Sequence, residues 1–397
     1  VESEVEAKKL EGQMKIVIWT GPAWETWGED SLLTGIGGSE AAATYLSREL
    51  AMLGHEVEVV GQVRPSEGRH GPGTVRFVDH RSYGAYSPVS GPGGQRVIRD
   101  GRKLECDVFV SSRYLTAASS VLPDCRLKVL WMHDVHAGPD HYRLMNDYDA
   151  VFCLSRWALD LCRRFYPHVP ADKFVQTRNG IPLDLYRAEP VKEGFKVVYS
   201  SSADRGLDRL LDFWPTVRQL RDDAELHVYY GFDTWEKIAV RNCDDVAVAQ
   251  IQVFKTRLAN MAGQGVTLHG RVGQPELARA WLGASAWLYP TDFCETSCIT
   301  AMEAQAAGAL CVCSGLAALP ETARYAYLVD PPTTREGYRE KFMCHVESIA
   351  RSFGGCGLSS DFLAERSAEG REWALRELGW GGEASQWDAL FRSRLGR

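Results

Sequence analysis

The chain has 397 residues, a hydrophobic fraction of 45 %, a charged fraction of 24 % and a formal net charge of −7. That length exceeds what one ordinary core fills, so two domains are expected, and the mildly acidic balance gives no overall reason to expect nucleic acid as a partner. No apolar run approaches the ~20 residues of a membrane span and the amino end has no signal-peptide core, which points to a cytoplasmic protein for which peripheral membrane contact stays open.

Residues 1–13 read as a charged lead-in, and Met14 to Thr20 as the first buried strand. The loop that follows ends in Gly35-Ile36-Gly37-Gly38-Ser39-Glu40, with a helix expected over Ala41 to Leu53 and a second strand beginning within Gly54 to Val57. Gly37 and Gly38 let backbone come close to a ligand at a helix N-terminus, with Ser39 as the candidate cap. This is no P-loop, because no Gly-Lys-Ser/Thr follows, and no dinucleotide fingerprint, because Glu40 stands at the third glycine position. A flexible turn is the plain alternative.

From Arg64 to Lys103 the chain is rich in Gly, Pro and Arg, with Tyr83 and Tyr86 among Arg76, Arg81, Arg96, Arg99, Arg102 and Lys103. Basic residues interleaved with aromatics suit an anionic acceptor, even a nucleic acid; solvated loops between short strands are the blander reading. Cys106 to Ser111 and Leu127 to Met132 are strands. The second runs into His133-Asp134-Val135-His136, with Asp140 and His141 close behind, the best metal-like cluster in the chain. Its spacing matches no standard zinc pattern, so no metal is assigned. Asp147-Tyr148-Asp149 has the form of a D-x-D metal motif but directly precedes the apolar Ala150 to Leu154, so it reads as a strand start. Ser155 opens the next helix, a strand lies near Phe174, and Asn179-Gly180-Ile181-Pro182 is a turn. A linker is placed at about 183–194. Eleven cysteines, an odd number, with no C-x-x-C pair, read as reduced and mostly buried thiols.

The second half begins with strand Phe195 to Tyr199 and a polar loop that carries Arg205 and Arg209 into a helix. Arginine in a first turn opposes the helix dipole unless an anion sits there too, which favours a ligand role for Arg205. Glu225 to Gly231 is a strand, Thr234 to Ala262 is polar and mostly helical, Val266 to Arg271 is a strand ending in a turn at Gly270, and Glu276 to Ala284 is a short helix. Ala286 to Tyr289 then has the composition of a buried parallel strand, which Pro290 stops. Thr296 and Ser297 are N-cap residue types, Ile299 to Ala307 is rich in helix formers, Gly308 suits a left-handed C-terminal position, and Leu310 to Cys313 is the next strand. In that βαβ unit the N–H groups near Ser297, Cys298 and Ile299 face the crevice at the strand end, where phosphate is the natural guest. Glu303, further along the helix, can accept two hydrogen bonds from a ribose, and Glu295 would meet whatever hangs off the phosphate. Pairs of glutamates at this spacing also arise by chance. The tail from Leu363 to Leu395 is helical and carries Trp373, Trp380 and Trp387.

The alternation of strands and helices in both halves predicts an α/β chain of two doubly wound, Rossmann-like domains facing a central cleft. The boundaries are 14–185 for the first, 190–375 for the second and 376–397 for a final helix.

The Glu295-to-Glu303 block, with Pro290-Thr291 before it, resembles the E-x7-E signature of the retaining GT-B glycosyltransferases, especially glycosyltransferase family 4. The order Gly37-Gly38-Ser39-Glu40, helix, Gly54-His55-Glu56-Val57 is similar to the same family, as is the Asn179-Gly180-Ile181 step. The resemblance implies the GT-B fold, an acceptor-side first domain, a nucleotide-sugar-binding second domain and a tail crossing back to the first. It implies metal-independent retaining transfer from a nucleotide-diphosphate sugar, with no further cofactor, to an unidentified acceptor: a glycan, a small molecule or an anionic polymer. It gives Glu295 the donor sugar, Glu303 the ribose, His133 a place facing the donor sugar, Gly37 and Gly38 the diphosphate, and Gly270 the neighbourhood of the base. Arg205 takes the position of the family's diphosphate-binding lysine, with Arg209 beside it. Glu295, His133 and Arg205 are thus the expected catalytic residues. Where the family has Gly-Phe-Gly after the first glutamate, this chain has Thr296-Ser297-Cys298. A sugar-nucleotide epimerase or phosphorylase, a metallohydrolase built on His133, Asp134, His136 and His141, and a non-enzymatic binding module are the rival readings.

Overall fold

The computed structural model describes residues 12–83, 86–87, 97–98, 101–135, 141–354, 357–358 and 361–396. They form two compact units. The first takes in the chain to Asn179, apart from Leu32–Gly35, together with the last segment from Trp380; the second takes in Leu32–Gly35 and Gly180–Gly379. Each unit is the expected α/β layer structure around a sheet of parallel strands.

The first unit runs β1 (Lys15–Gly21), α1 (Gly38–Met52), β2 (Glu56–Gly61), β3 (Ser66–His70), β4 (Gly73–Asp79), a short ribbon of β5 (Tyr86–Ser87) and β6 (Val97–Ile98), β7 (Val108–Ser112), α2 (Ala117–Val121), β8 (Leu127–Met132), α3 (His141–Met145), β9 (Ala150–Cys153), α4 (Arg156–Phe165) and β10 (Phe174–Gln176). Its main sheet has the order β10-β9-β8-β7-β1-β2-β4-β3. All neighbours pair in parallel except β3, which lies antiparallel on β4 at the edge. The inner strands are mostly apolar and buried because helices cover both faces, with polar exceptions such as Glu58 on β2, Ser111 and Ser112 on β7 and Lys128 on β8. Ser155 caps α4 by accepting the Ala158 N–H at 3.1 Å, and Asp149 Oδ2 accepts the Lys128 N–H at 2.7 Å, so the acid before β9 does structural work.

Two helix starts differ from expectation. Helix α1 begins at Gly38, with Gly37 as its extended N-cap and no side-chain cap. Ser39 lies inside the first turn, its hydroxyl engaged by Glu40 and Arg113 rather than by a helix N–H.

The second unit runs β11 (Lys196–Tyr199), α5 (Leu207–Leu220), β12 (Glu225–Val228), α6 (Asp233–Arg241), α7 (Asp245–Asn260), β13 (Val266–Leu268), α8 (Gln274–Gly283), β14 (Ala286–Tyr289), α9 (Ile299–Ala306), β15 (Leu310–Ser314), α10 (Leu319–Thr322), β16 (Tyr327–Val329), α11 (Tyr338–Ser352) and α12 (Asp361–Glu377). Its sheet is wholly parallel in the order β13-β12-β11-β14-β15-β16. Helix α9 is capped by Cys298, again through backbone alone, while Thr296 and Ser297 stay in the loop.

The last helix, α13 (Trp380–Leu395), belongs to the first unit. Trp387 lies edge-on against Trp131 and Phe152, with ring centroids 5.0 Å and 4.8 Å away, and its indole donates to the buried Glu383 at 2.9 Å. Three large aromatics removed from water in one contact give that helix a firm seat.

Candidate active site

In a doubly wound sheet the chain leaves adjacent strands in opposite directions at one point, and the loops there part to form a ligand crevice. The strand order puts that point between β11 and β14 in the second unit and between β1 and β7 in the first.

In the second unit the two loops are locked closely together. Gly206 has φ of 104°, and a Cβ there would lie 2.5 Å from the Pro290 carbonyl oxygen, so only glycine fits. That contact sets Arg205 beside Glu295. Its Nη1 is 3.2 Å from each carboxylate oxygen, and the guanidinium lies 4.2 Å over the Phe293 ring. Glu295 is only 4 % exposed and also accepts the Tyr289 hydroxyl at 2.7 Å. Burial by itself would lower the Arg205 pKa; Glu295, together with Tyr289, Asp204 and Cys298, more than offsets it, so the guanidinium holds its proton more tightly than usual. Ser201 Oγ and Thr300 Oγ1, 3.3 Å apart, join the first loop to the start of α9.

Three polar atoms around this helix end are buried with no hydrogen-bond partner among the described residues: Ser200 Oγ, Arg205 Nε and Ser297 Oγ. Native interiors satisfy nearly all such atoms, so these three leave hydrogen-bonding capacity that a polar guest could complete. The first-turn N–H groups of α9 add to it. Cys298 is buried, its thiol pushed up by desolvation and 3.2 Å from Thr300 Oγ1, and Ile299 opens the helix.

The other end of α9 is closed by cations and a hydroxyl. Lys192 Nζ donates to the Ala307 carbonyl at 2.7 Å and the Ala284 carbonyl at 2.5 Å, Ser367 Oγ donates to Gly308 O at 2.7 Å, and Arg371 donates to Ala306 O. Donors and positive charge at a helix C-terminus match its dipole and leave the N-terminal end for an anion.

Arg209, one turn into α5, donates to Thr333 Oγ1 at 3.2 Å, and Thr333 is held in turn by Asp292. It stands at the rim of the same loops. Gly270, with φ of 75° and open space where a Cβ would stand, follows β13, two strands from β11. Glu303 is 2 % exposed; desolvation pushes its carboxyl up to about 7, against a hydrogen bond from Tyr186. It is therefore a core carboxyl of α9, hydrogen-bonded by Tyr186.

At the switch point of the first unit Gly37 and Gly38 are brought to the carboxyl edge of the sheet. A Cβ on Gly37 would lie 2.3 Å from Glu40 Oε2, and Ser39 Oγ donates to that oxygen at 2.9 Å. Arg113, just past β7, takes φ of 72°, and its three guanidinium nitrogens are all engaged. Nε and Nη2 meet the two oxygens of Asp134 at 2.7 Å and 2.9 Å, and Nη1 meets Ser39 Oγ at 3.1 Å. His133 directly follows β8, against the Trp131 ring; desolvation, and then the Arg113 charge, push its imidazole down to about 3, so it is neutral at physiological pH.

Of the metal-like cluster, His136 and Asp140 and the side chain of His141 lie outside the described residues. Among the described residues no three His, Cys, Asp or Glu side chains gather in a metal-holding group. The basic stretch is largely neutralised within its own unit. Arg64 pairs with Asp30 at 2.6 Å, Arg76 with Glu58 and Glu67 at 3.2 Å, Arg81 with Asp79 at 2.6 Å and Lys103 with Asp124 at 2.6 Å. Arg102 stacks over Tyr83, while Arg96, Arg99 and the side chain of Tyr86 lie outside the described residues. No helix of the described residues is long and apolar enough to cross a membrane.

Sequence reasoning did not single out Tyr289, Phe293 or Arg113. The first two flank Glu295 in the chain and could have been found by asking what a buried carboxylate leans on. Arg113 carries no local signal.

No curated protein matches the chain. Among solved structures it is similar to sucrose-phosphate synthase from Thermosynechococcus elongatus, with TM-score 0.63 and 15 % identity over 96 % of this chain and 99 % of that one. It is similar to HepE from Anabaena, solved with UDP and glucose, with TM-score 0.61 and 14 % identity over 96 % of this chain and 100 % of that one. It is similar too to the catalytic domain of starch synthase IV from Arabidopsis thaliana, bound to ADP and acarbose, with TM-score 0.62 and 11 % identity over 97 % and 100 %. Residues 36–185 match the family model of Glycosyltransferase Family 4, and the chain has the two-domain fold of the GT-B glycosyltransferases.

Proposed function

We propose that the protein transfers a sugar, with retention of anomeric configuration and without a metal ion, from a nucleoside-diphosphate sugar to an acceptor hydroxyl. The observation that carries this is the unfinished polar set around the N-terminus of α9: Ser200 Oγ, Ser297 Oγ and Arg205 Nε, buried and without a hydrogen-bond partner among the described residues. A diphosphate supplies the acceptors this set lacks, and the helix end favours its charge. HepE, of similar fold, was solved with UDP and glucose, which suits the same ligand class.

In this reading the bond from the anomeric carbon to the phosphate oxygen breaks as the acceptor oxygen bonds the same carbon from the same face. The acceptor proton passes to the departing phosphate oxygen. Arg205 and the N–H groups of α9 stabilise the charge that grows on the diphosphate, a contribution that is large because the site is already organised and largely dry. Glu295, fixed by Arg205 and Tyr289, is proposed to hold a donor-sugar hydroxyl, and Arg209 and Gly270 to border the donor. Neutral His133 offers a hydrogen bond to a sugar hydroxyl, and Gly37 and Gly38 a close backbone approach. Glu303 is proposed to meet the ribose after Tyr186 is displaced; unchanged nucleotide affinity in Glu303→Ala would remove that role. The test of the whole is a thermal-shift screen of nucleotide sugars, followed by transfer with the best donor in a chelator and NMR assignment of the product anomer. Retained configuration with activity intact in chelator is expected; an inverted anomer overturns the retaining step.

A further inference from the structure

We propose that Cys106 and Cys125 form a reversible disulfide, a redox-sensitive staple between the starts of β7 and β8. The inference concerns the first unit alone and does not depend on the glycosyltransferase reading. Val108 pairs with Leu127 and Glu105 with Asp124, the same nineteen-residue step, and that step carries Cys106 onto Cys125. Neighbouring strands lie about 4.8 Å apart, inside the window of about 4.4–6.8 Å between Cα atoms that a disulfide spans. Paired residues point their side chains to the same face of the sheet, and the two free thiols are in hydrogen-bonding contact. The backbones are also fastened to each other. The Asp124 N–H donates to Leu104 O at 2.9 Å, the Cys106 N–H to Asp124 O at 3.1 Å, and Lys103 Nζ to Asp124 Oδ2 at 2.6 Å, so joining the sulfurs asks little movement of the chain.

Cys125 is the sulfur that reacts first. The Cys106 thiol donates to it, and that bond together with Lys128 outweighs burial and Asp149, so Cys125 releases its proton more readily than an ordinary thiol while Cys106 holds its own more tightly. A thiolate is the form that meets an oxidant. It attacks one oxygen of hydrogen peroxide, the O–O bond breaks, and hydroxide leaves as a sulfenic acid forms on Cys125. The Cys106 sulfur then bonds to that sulfur, and the thiol proton and the sulfenic hydroxyl leave together as water. Two electrons have passed from the thiols to the peroxide. A dithiol reverses the change by two exchanges and closes a disulfide of its own. Access separates this pair from the second one in the unit. Cys153 on β9 and Cys162 on α4 are also in contact but are buried, whereas Cys106 and Cys125 are each only partly buried. The bridge stands at the amino ends of its two strands, about 20 Å of chain from Arg113 at the far end of β7, so it fixes the sheet without disturbing the groups gathered there.

The experiment treats the full folded chain with dilute hydrogen peroxide, blocks the remaining thiols by alkylation and digests with trypsin without reduction. Trypsin cuts after Lys103, Arg113 and Arg126, so the two cysteines fall on separate peptides, 104–113 and 114–126. A linked species lighter by two hydrogens than the two peptides together is expected, and dithiothreitol should return it to its halves. The cross-link restricts the unfolded chain, so the oxidised protein should melt at least about 4 °C higher than the reduced one, and the rise should vanish with the dithiol. Cys125→Ser and Cys106→Ser, two variants in case one fails to fold, should each lose both the linked peptide and the rise in Tm. Cys162→Ala should keep both. Absence of the 104–113/114–126 species in a sample where the exposed Cys294 has been oxidised overturns the inference, because the oxidant then reached the protein and the pair did not close. A Cys153–Cys162 link forming first overturns the selection by access. A linked species that melts no higher than the reduced protein overturns the staple.

Discussion

Both units set an arginine against a carboxylate at the carboxyl edge of a parallel sheet, yet the two pairs are built for opposite tasks. Arg113 is half-exposed, grips both oxygens of Asp134 and gives its last nitrogen to Ser39. Arg205 lies over Phe293, reaches the buried Glu295 through one nitrogen, and keeps a buried Nε with no partner. An arginine recruits an anion with the donors it has left over, so the guanidinium that looks better paired is the poorer anion site. Charge alone would have ranked them equal.

The largest expected effect follows from that contrast. Arg205→Ala should slow sugar transfer by about 10²–10³-fold, the loss seen when a donor to a developing oxyanion is removed. It should also weaken nucleoside-diphosphate binding by about 1.5–3 kcal/mol, the range for hydrogen bonds to charged groups. Arg113→Ala, measured by the same calorimetric titration, should leave diphosphate affinity within about twofold. Equal losses in both variants would erase the distinction. Glu295→Gln sharpens it: turnover should fall more than diphosphate affinity, because the carboxylate is assigned to the sugar rather than the phosphate.

How dry the second site is can be measured through Glu303. Burial raises its carboxyl to about 7 from an ordinary 4.5, so the folded chain holds that proton more tightly than the unfolded chain does. Its contribution to stability is therefore fully present below about pH 4.5 and is lost as pH rises through about 7, a change on the order of 3 kcal/mol. Urea unfolding at several pH values should show the fall in the wild type and not in Glu303→Gln, which keeps the shape without the ionisation. Identical pH profiles would mean that the carboxyl is better solvated than its burial implies.

Much of this architecture was legible from the chain. Ala286–Tyr289 and Leu127–Met132 form strands where they were expected, because a short and almost wholly apolar run in a doubly wound fold has few other places to go. The loops were harder. Gly206 announces a tight turn, but that it must clear Pro290 depends on a strand pairing separated by much of the domain. Ser39 has the residue type of a cap and is instead drawn off by Arg113, a partner far along the chain. The basic residues around 64–103 look like a polyanion surface only until Asp30, Glu58, Asp79 and Asp124 are seen to meet Arg64, Arg76, Arg81 and Lys103. Composition reports how many charges a stretch carries; folding decides how many are left to act.

The smallest effect is the most selective, because it separates a site waiting for a ligand from a flaw in packing. Ser297 Oγ is buried without a partner, so in the free protein it bears the cost of desolvation and returns no hydrogen bond. Ser297→Ala removes that cost, and the unliganded protein should unfold at the same temperature or slightly higher. If a diphosphate oxygen normally completes the hydroxyl, the same variant should lose about 1 kcal/mol of nucleotide affinity, and its ligand-induced rise in Tm should shrink accordingly. The two signs have to oppose each other. A variant that is less stable when empty would show that the hydroxyl already has a partner, and unchanged affinity would move the diphosphate away from this helix end, leaving Arg205 and Arg113 without the difference on which the contrast between them depends.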